Sequence, residues 1–122
     1  MLTGKSDLEL LNDIYVVPAA PLPPDTTPPT VPSGLASSNI TSTTFTLCWS
    51  ASTDSGGSGV KSYQVYQDGV VVQRVSATPL QIIYCANITS LTTGTSYAFT
   101  VSAIDFNNNE SAQSSALTVN TL

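Results

Sequence analysis

The sequence predicts an all-β protein, an antiparallel sandwich of short strands. Three observations carry this. Apolar residues alternate with polar ones at period two through most of the chain. An Asp68-Gly69 pair between VYQ and VVV signals a two-residue hairpin turn. Ser and Thr supply 17 residues each of the 122, whereas charged residues are only 9%. That composition suits the pleat better than a helix, because Thr, Val, Ile, Tyr and Phe favour strands.

The elements follow in order. Seven of the eight prolines fall between Pro18 and Pro32, in PAAPLPPDTTPPTVP. Proline fixes φ and removes donors, so this stretch is expected to be extended and stiff. Before it, Ser6 and Glu9 are spaced as a capping box, which allows a helix of about two turns through Leu11. Leu8, Leu11, Ile14, Tyr15 and Val17 give this arm more apolar surface than so short a piece can bury alone. Two readings stand: the remnant of a preceding domain, or a docking arm that binds a protein partner. From Val31 the period changes to two. Phe45, Leu47 and Trp49 alternate with Thr46 and Cys48, Tyr63 and Val65 with Gln64 and Tyr66. Tyr97, Phe99, Val101 and Ala103 form the longest such series, and Leu117 and Val119 the last. Strands of this length joined by Gly, Ser and Asn make a sandwich, and no internal repeat is visible.

Charge and residue inventory exclude several functions. The net charge is −5 and only Lys5, Lys61 and Arg74 are positive. A nucleic-acid binder releases counterions with many cations, so none is expected as a partner. Attraction to an anionic membrane is disfavoured for the same reason. No run of about 18 apolar residues exists, so no membrane insertion is expected. There is no His, which removes the commonest general base and metal ligand. Two Cys cannot form a four-thiolate zinc site. No enzyme activity, cofactor or resident metal is therefore expected. Met1 is not followed by a basic start and an apolar stretch, so no secretory signal is read there. The chain is expected to be either a complete short product or a segment cut from a longer secreted protein.

The residues from Asp25 to Leu122 resemble a fibronectin type III domain. DTTPPTVPSGL resembles its first strand, TTFTLCW the second with its core Trp49, and ASTDSGGSGVKSYQVYQDG the next loop, strand and hairpin. In LTTGTSYAFTVSAID, Leu91, Gly94 and Tyr97 stand at the spacing of the tyrosine corner. DFNNNESAQSSALTVNT resembles the final loop and strand. The resemblance implies a seven-stranded immunoglobulin-like sandwich over residues 31–122, with 1–30 as docking arm and Pro-rich linker. The style is similar to the bacterial subset, whose members accompany secreted carbohydrate-active enzymes, adhesins and bacteriophage virion proteins. One departure is the stretch Ser76 to Tyr84, longer than usual before the fifth strand. The integrin-binding triplet Arg-Gly-Asp is missing, since the corresponding loop reads Phe106-Asn107-Asn108-Asn109-Glu110.

Candidate sites are few. Asp54, Asp105 and Glu110 could come together as weak calcium ligands, but Asp54 more simply fixes its own loop. Tyr66 beside the hairpin and Phe106 on a loop tip are expected on the surface, where a ring can stack on a sugar or a partner side chain. Tyr84 can be placed on neither face. The triplets at Asn39, Asn87 and Asn109 match N-glycosylation acceptors but are near chance in so Thr-rich a chain. In the family, the strands holding Cys48 and Cys85 are adjacent and antiparallel. The alignment sets Cys48 opposite Asn87 and Cys85 on the diagonal, so a disulfide and two reduced thiols both stay open. The first functional expectation is a non-catalytic attachment module on a bacteriophage virion, anchored by its arm. The alternative is an accessory or spacer domain of a secreted bacterial carbohydrate-active enzyme or adhesin, with weak glycan binding as an addition. Both place the protein on a virion surface, outside the cell or at the bacterial cell surface.

Overall fold

The computed structural model describes residues 25–122. Seven strands run in order: β1 (Ser33–Ser38), β2 (Phe45–Ser50), β3 (Val60–Gln67), β4 (Val70–Ser76), β5 (Ile83–Ile88), β6 (Ser96–Asp105) and β7 (Leu117–Asn120). They form a three-stranded sheet, β1-β2-β5, and a four-stranded sheet, β4-β3-β6-β7, with every pairing antiparallel.

The alternation read in the sequence selects the inner faces. Phe45, Leu47 and Trp49 of β2 are buried while Thr46, Cys48 and Ser50 are not. They meet Tyr63 and Val65 of β3, Phe99 and Val101 of β6, and Val119 of β7 in one cluster. Trp49 sits edge-on to Tyr63, with ring centroids 5.6 Å apart, and stacks on Tyr84 at 6.4 Å. Tyr84 thus belongs to the core, which settles the ring that alternation left unplaced.

Backbone chemistry fixes the corners. At the hairpin, Asp68 (φ 49°) and Gly69 (φ 86°) both take positive φ, as the twist-matched two-residue turn requires. The Asp68 side chain accepts from the Ala98 N–H at 2.9 Å, tying the turn to β6. At the tyrosine corner, Tyr97 Oη accepts from the Thr92 N–H at 2.7 Å. The ring is half-buried, and the bond reaches an N–H donor, not a carbonyl.

The register of β5 corrects one expectation. Cys48 lies squarely opposite Cys85, not opposite Asn87, which pairs with Thr46. Their Cα atoms are 4.0 Å apart and the sulfurs form a disulfide. It lies on the outer face of the three-stranded sheet, away from the core cluster. The long stretch after β4 accounts for the shift. Residues 77–82 make a loop whose shape is held by Tyr84: its Oη donates to Thr78 O and accepts from Thr78 N–H, both at 2.9 Å.

Candidate functional site

The two chain ends of the described domain leave from opposite poles. The incoming pole carries Asp25, the β2–β3 loop, loop 77–82 and the loop after β6. At the other pole Leu122 N–H donates to Thr41 O, and Gly94 N–H donates to Leu122 O.

At the incoming pole three carboxylates converge. Asp25, Asp54 and Asp105 each place an oxygen within 4.8 Å of the others. Sequence grouped Asp54 and Asp105 with Glu110; the structure puts Asp25 in that place. Each carboxylate is held by local donors. Ser58 N–H and Oγ–H donate to Asp25 Oδ2 at 2.9 and 3.0 Å, and Thr27 N–H donates to Oδ1 at 3.0 Å. Gly59 N–H donates to Asp54 Oδ2 at 2.9 Å. The fully buried Asp105 accepts from Asn107 N–H, Asn109 N–H and Asn109 Nδ2. Asn109 Nδ2 also donates to Asp25 O at 2.7 Å. The spacing is one a hard cation could span. The donors already present give the cluster a sufficient structural role, since it clasps the incoming chain to two loops. The Ser58 N–H, and after it the Thr27 N–H, lower the Asp25 pKa from 3.8 to about 2.

Beside the clasp lies a groove of about 350 Å³. Tyr63, Tyr84 and Gly59 line it, and Leu80 and Phe106 stand at its rim in solvent, 99% and 62% exposed.

Glu110 is elsewhere, on the outer face of the four-stranded sheet. It bridges to Ile104 and accepts from Gln64 Nε2, Tyr66 Oη and Ser102 Oγ. Arg74 Nη2 donates to Gln64 Oε1 at 2.7 Å and completes the cluster. Burial pushes the Glu110 carboxyl up, but the Ser102, Tyr66 and Gln64 donors outweigh it and hold the pKa below 4.5. The same burial, and then Glu110, raise the Tyr66 phenol. Tyr66 is therefore half-buried with its hydroxyl engaged, not a free stacking ring. Tyr66 and Phe106 also do not share a surface. Phe106 packs by Gly59 just ahead of β3, and Tyr66 is the next-to-last residue of that strand. Seven residues of strand separate them, roughly 23 Å. Leu8, Leu11, Ile14, Tyr15 and Val17, expected to bind a partner, lie outside the described residues.

Comparison with known proteins decides the family. The Fibronectin type III domain pattern matches residues 28–120. The chain belongs to the fibronectin type III family. This fibronectin type III domain is a non-catalytic module, and it is similar to parts of polysaccharide-degrading enzymes. It is 50% identical over 98 residues to Chitinase Chi52 of Paenibacillus xylanexedens, covering 80% of this chain and 17% of that protein. Endoglucanase B of Cellulomonas fimi is 43% identical over 116 residues, covering 95% of this chain and 11% of that enzyme. So long a match takes in part of the Pro-rich stretch and arm. Among solved structures, Chitinase ChiA74 from Bacillus thuringiensis aligns with a TM-score of 0.61 at 32% identity, over 77% of this chain and 13% of that one. The fibronectin type III chain thus spans less than a fifth of each of these relatives.

Proposed function

We propose that this fibronectin type III chain is an accessory module of an extracellular bacterial polysaccharide-degrading enzyme, where it spaces neighbouring domains. The observation that carries the reading is the kind of protein it matches: chitinases and a glucanase, of which it equals only a small part. That moves the weight from the virion expectation to the alternative. The geometry agrees, because chain ends at opposite poles let the domain act as a strut between its two neighbours in sequence. The Cys48–Cys85 bond suits an oxidising compartment outside the cytosol. Weak glycan contact, the other part of the alternative, is left with Phe106, since the Tyr66 hydroxyl is engaged. A lone exposed ring is ordinary, so the spacer reading stands ahead of it.

The reading frame around the chain tests the proposal. Catalytic-domain sequence on either side supports it, and flanking virion structural genes overturn it. In the parent enzyme, removing residues 25–122 is expected to slow hydrolysis of insoluble polymer and leave soluble oligosaccharide hydrolysis unchanged.

A further inference from the structure

The incoming pole combines three features that the spacer reading does not use. First, Leu80 is 99% exposed and Phe106 62% exposed at the rim of an apolar groove, with Ile82 75% exposed beside it. Second, Leu80 sits at φ 68°. A bulky apolar residue rarely adopts the left-handed region, so the chain holds an uncommon conformation in order to present a Leu to water. Third, the chain comes in at this groove. Asp25 is bonded to Ser58, next to Gly59, and its carbonyl accepts from Asn107, next to Phe106. Both neighbours line the groove.

We propose that residues 8–17 of the same chain fold back onto this groove, with Leu8, Leu11, Ile14 and Val17 covering Leu80 and Phe106. Length permits it. Seven residues, 18–24, separate Val17 from the clasp, and at about 3.1 Å per residue in an extended Pro-rich conformation they reach ~22 Å. The two sheets of a sandwich pack only about 10 Å apart, so every part of the pole is within that reach. Composition permits it too, since the segment supplies the aliphatic side chains that an apolar groove takes up and the short piece cannot bury by itself. Charge does not drive the contact. Residues 1–24 hold Lys5 against Asp7, Glu9 and Asp13, the same sign as the three carboxylates of the pole. Docking is therefore apolar and should strengthen when salt screens the repulsion.

The test uses the full chain with labelled Ile, Leu and Val methyl groups. Nuclear Overhauser contacts from the Ile14 or Leu11 methyls to the Phe106 ring or Leu80 methyls are expected, unchanged on dilution and stronger at high salt. The double variant Leu11→Ser/Ile14→Ser should abolish them and raise binding of an apolar dye several-fold. Adding Leu80→Ser/Phe106→Ser should bring dye binding back down. Far-UV circular dichroism and the urea midpoint report that each variant stays folded, since none of the four residues lies in the core cluster. Contacts seen only between differently labelled chains would assign the groove to a second copy and overturn the proposal. So would groove signals and dye binding that ignore Leu11→Ser/Ile14→Ser, which would leave the groove to a separate protein.

Discussion

Cutting the Cys48–Cys85 bond gives the sharpest test of how this small domain is held together. The two residues are 37 apart in sequence and directly opposite in the β2–β5 ladder. Neither contributes to the core, and the six pairs of that ladder do not depend on the bond. The native state should therefore survive its loss almost unchanged. The effect falls on the unfolded chain, which regains the freedom of a long loop. In the chain-entropy picture such a loop is worth about 3–4 kcal/mol at 25 °C. That is a large part of the roughly 5–15 kcal/mol by which domains are stable. Urea unfolding followed by Trp49 fluorescence would measure it on the oxidised protein, the reduced protein and the Cys48→Ala/Cys85→Ala variant. Both altered forms should lose about 3–4 kcal/mol and agree with each other within about 1 kcal/mol. Their denaturant slope should rise, because an unlinked unfolded chain exposes more surface. A loss under about 1 kcal/mol with native circular dichroism would refute the loop argument. Two titratable thiols in the unreduced, denatured protein would refute the bond itself.

Three further outcomes follow from the packing. Trp49→Ala should cost on the order of 3–5 kcal/mol in the same assay, as large core truncations do. Trp49→Phe should cost much less, because Trp49 Nε1 has no hydrogen-bond partner to lose. Tyr97→Phe should cost about 1 kcal/mol by stranding the Thr92 N–H, the low end of the range for a group near solvent. Acid should loosen the incoming pole. The folded state lowers the Asp25 pKa from 3.8 to about 2, so its contribution is full above 3.8 and is lost as pH falls towards about 2. The stability gap between wild type and Asp25→Asn, measured by urea unfolding at stepped pH, should be constant above about pH 5 and close at about pH 2. A gap that does not change with pH would show that the charge is not what Ser58 and Thr27 recognise.

What could be read from sequence was what repeats locally. The inward sets of β2, β3 and β6 follow from period two, the hairpin from Asp68-Gly69, and the corner bond from the spacing of Leu91, Gly94 and Tyr97. The Cys48–Cys85 register was off by two residues for an instructive reason. A slip of two leaves every inward residue inward, so Ala86 and Ile88 are buried in either register and alternation is blind to the difference. Only the length of loop 77–82 sets it, and that depends on how Tyr84 grips Thr78. The site at the pole was half legible. Asp54 and Asp105 end the elements that meet there, but Asp25 precedes the first strand and carries no periodic signal. Glu110 was misassigned because the loop after β6 turns back onto the sheet and bridges to Ile104, which aims Glu110 at Tyr66 and Ser102.

A strut transmits position only if its ends are fixed to its body. Both ends of this domain meet that condition, by different chemistry. At the outgoing pole the fastening is backbone to backbone: Thr121 N–H to Thr95 O, Leu122 N–H to Thr41 O, and Gly94 N–H to Leu122 O. Thr121 Oγ1 adds a donor to Thr92 O and an acceptor for Thr95 N–H. At the incoming pole it is carboxylate to backbone, through Asp25 to Ser58 and Thr27, with Asn109 reaching back to the Asp25 carbonyl. The proline-rich stretch runs up to Pro24, the residue just before the clasp. A proline-rich linker holds direction over several residues only when its last residue is anchored. Asp25 supplies the anchor, so the clasp, more than the sandwich itself, determines the angle at which whatever precedes this domain is carried. Asp25→Ala should then leave the core stability nearly intact and widen the distribution of distances between a label on the arm and one on β7. Double electron–electron resonance would read that distribution directly. An unchanged width would mean that direction is fixed by contacts at the pole and not by the clasp.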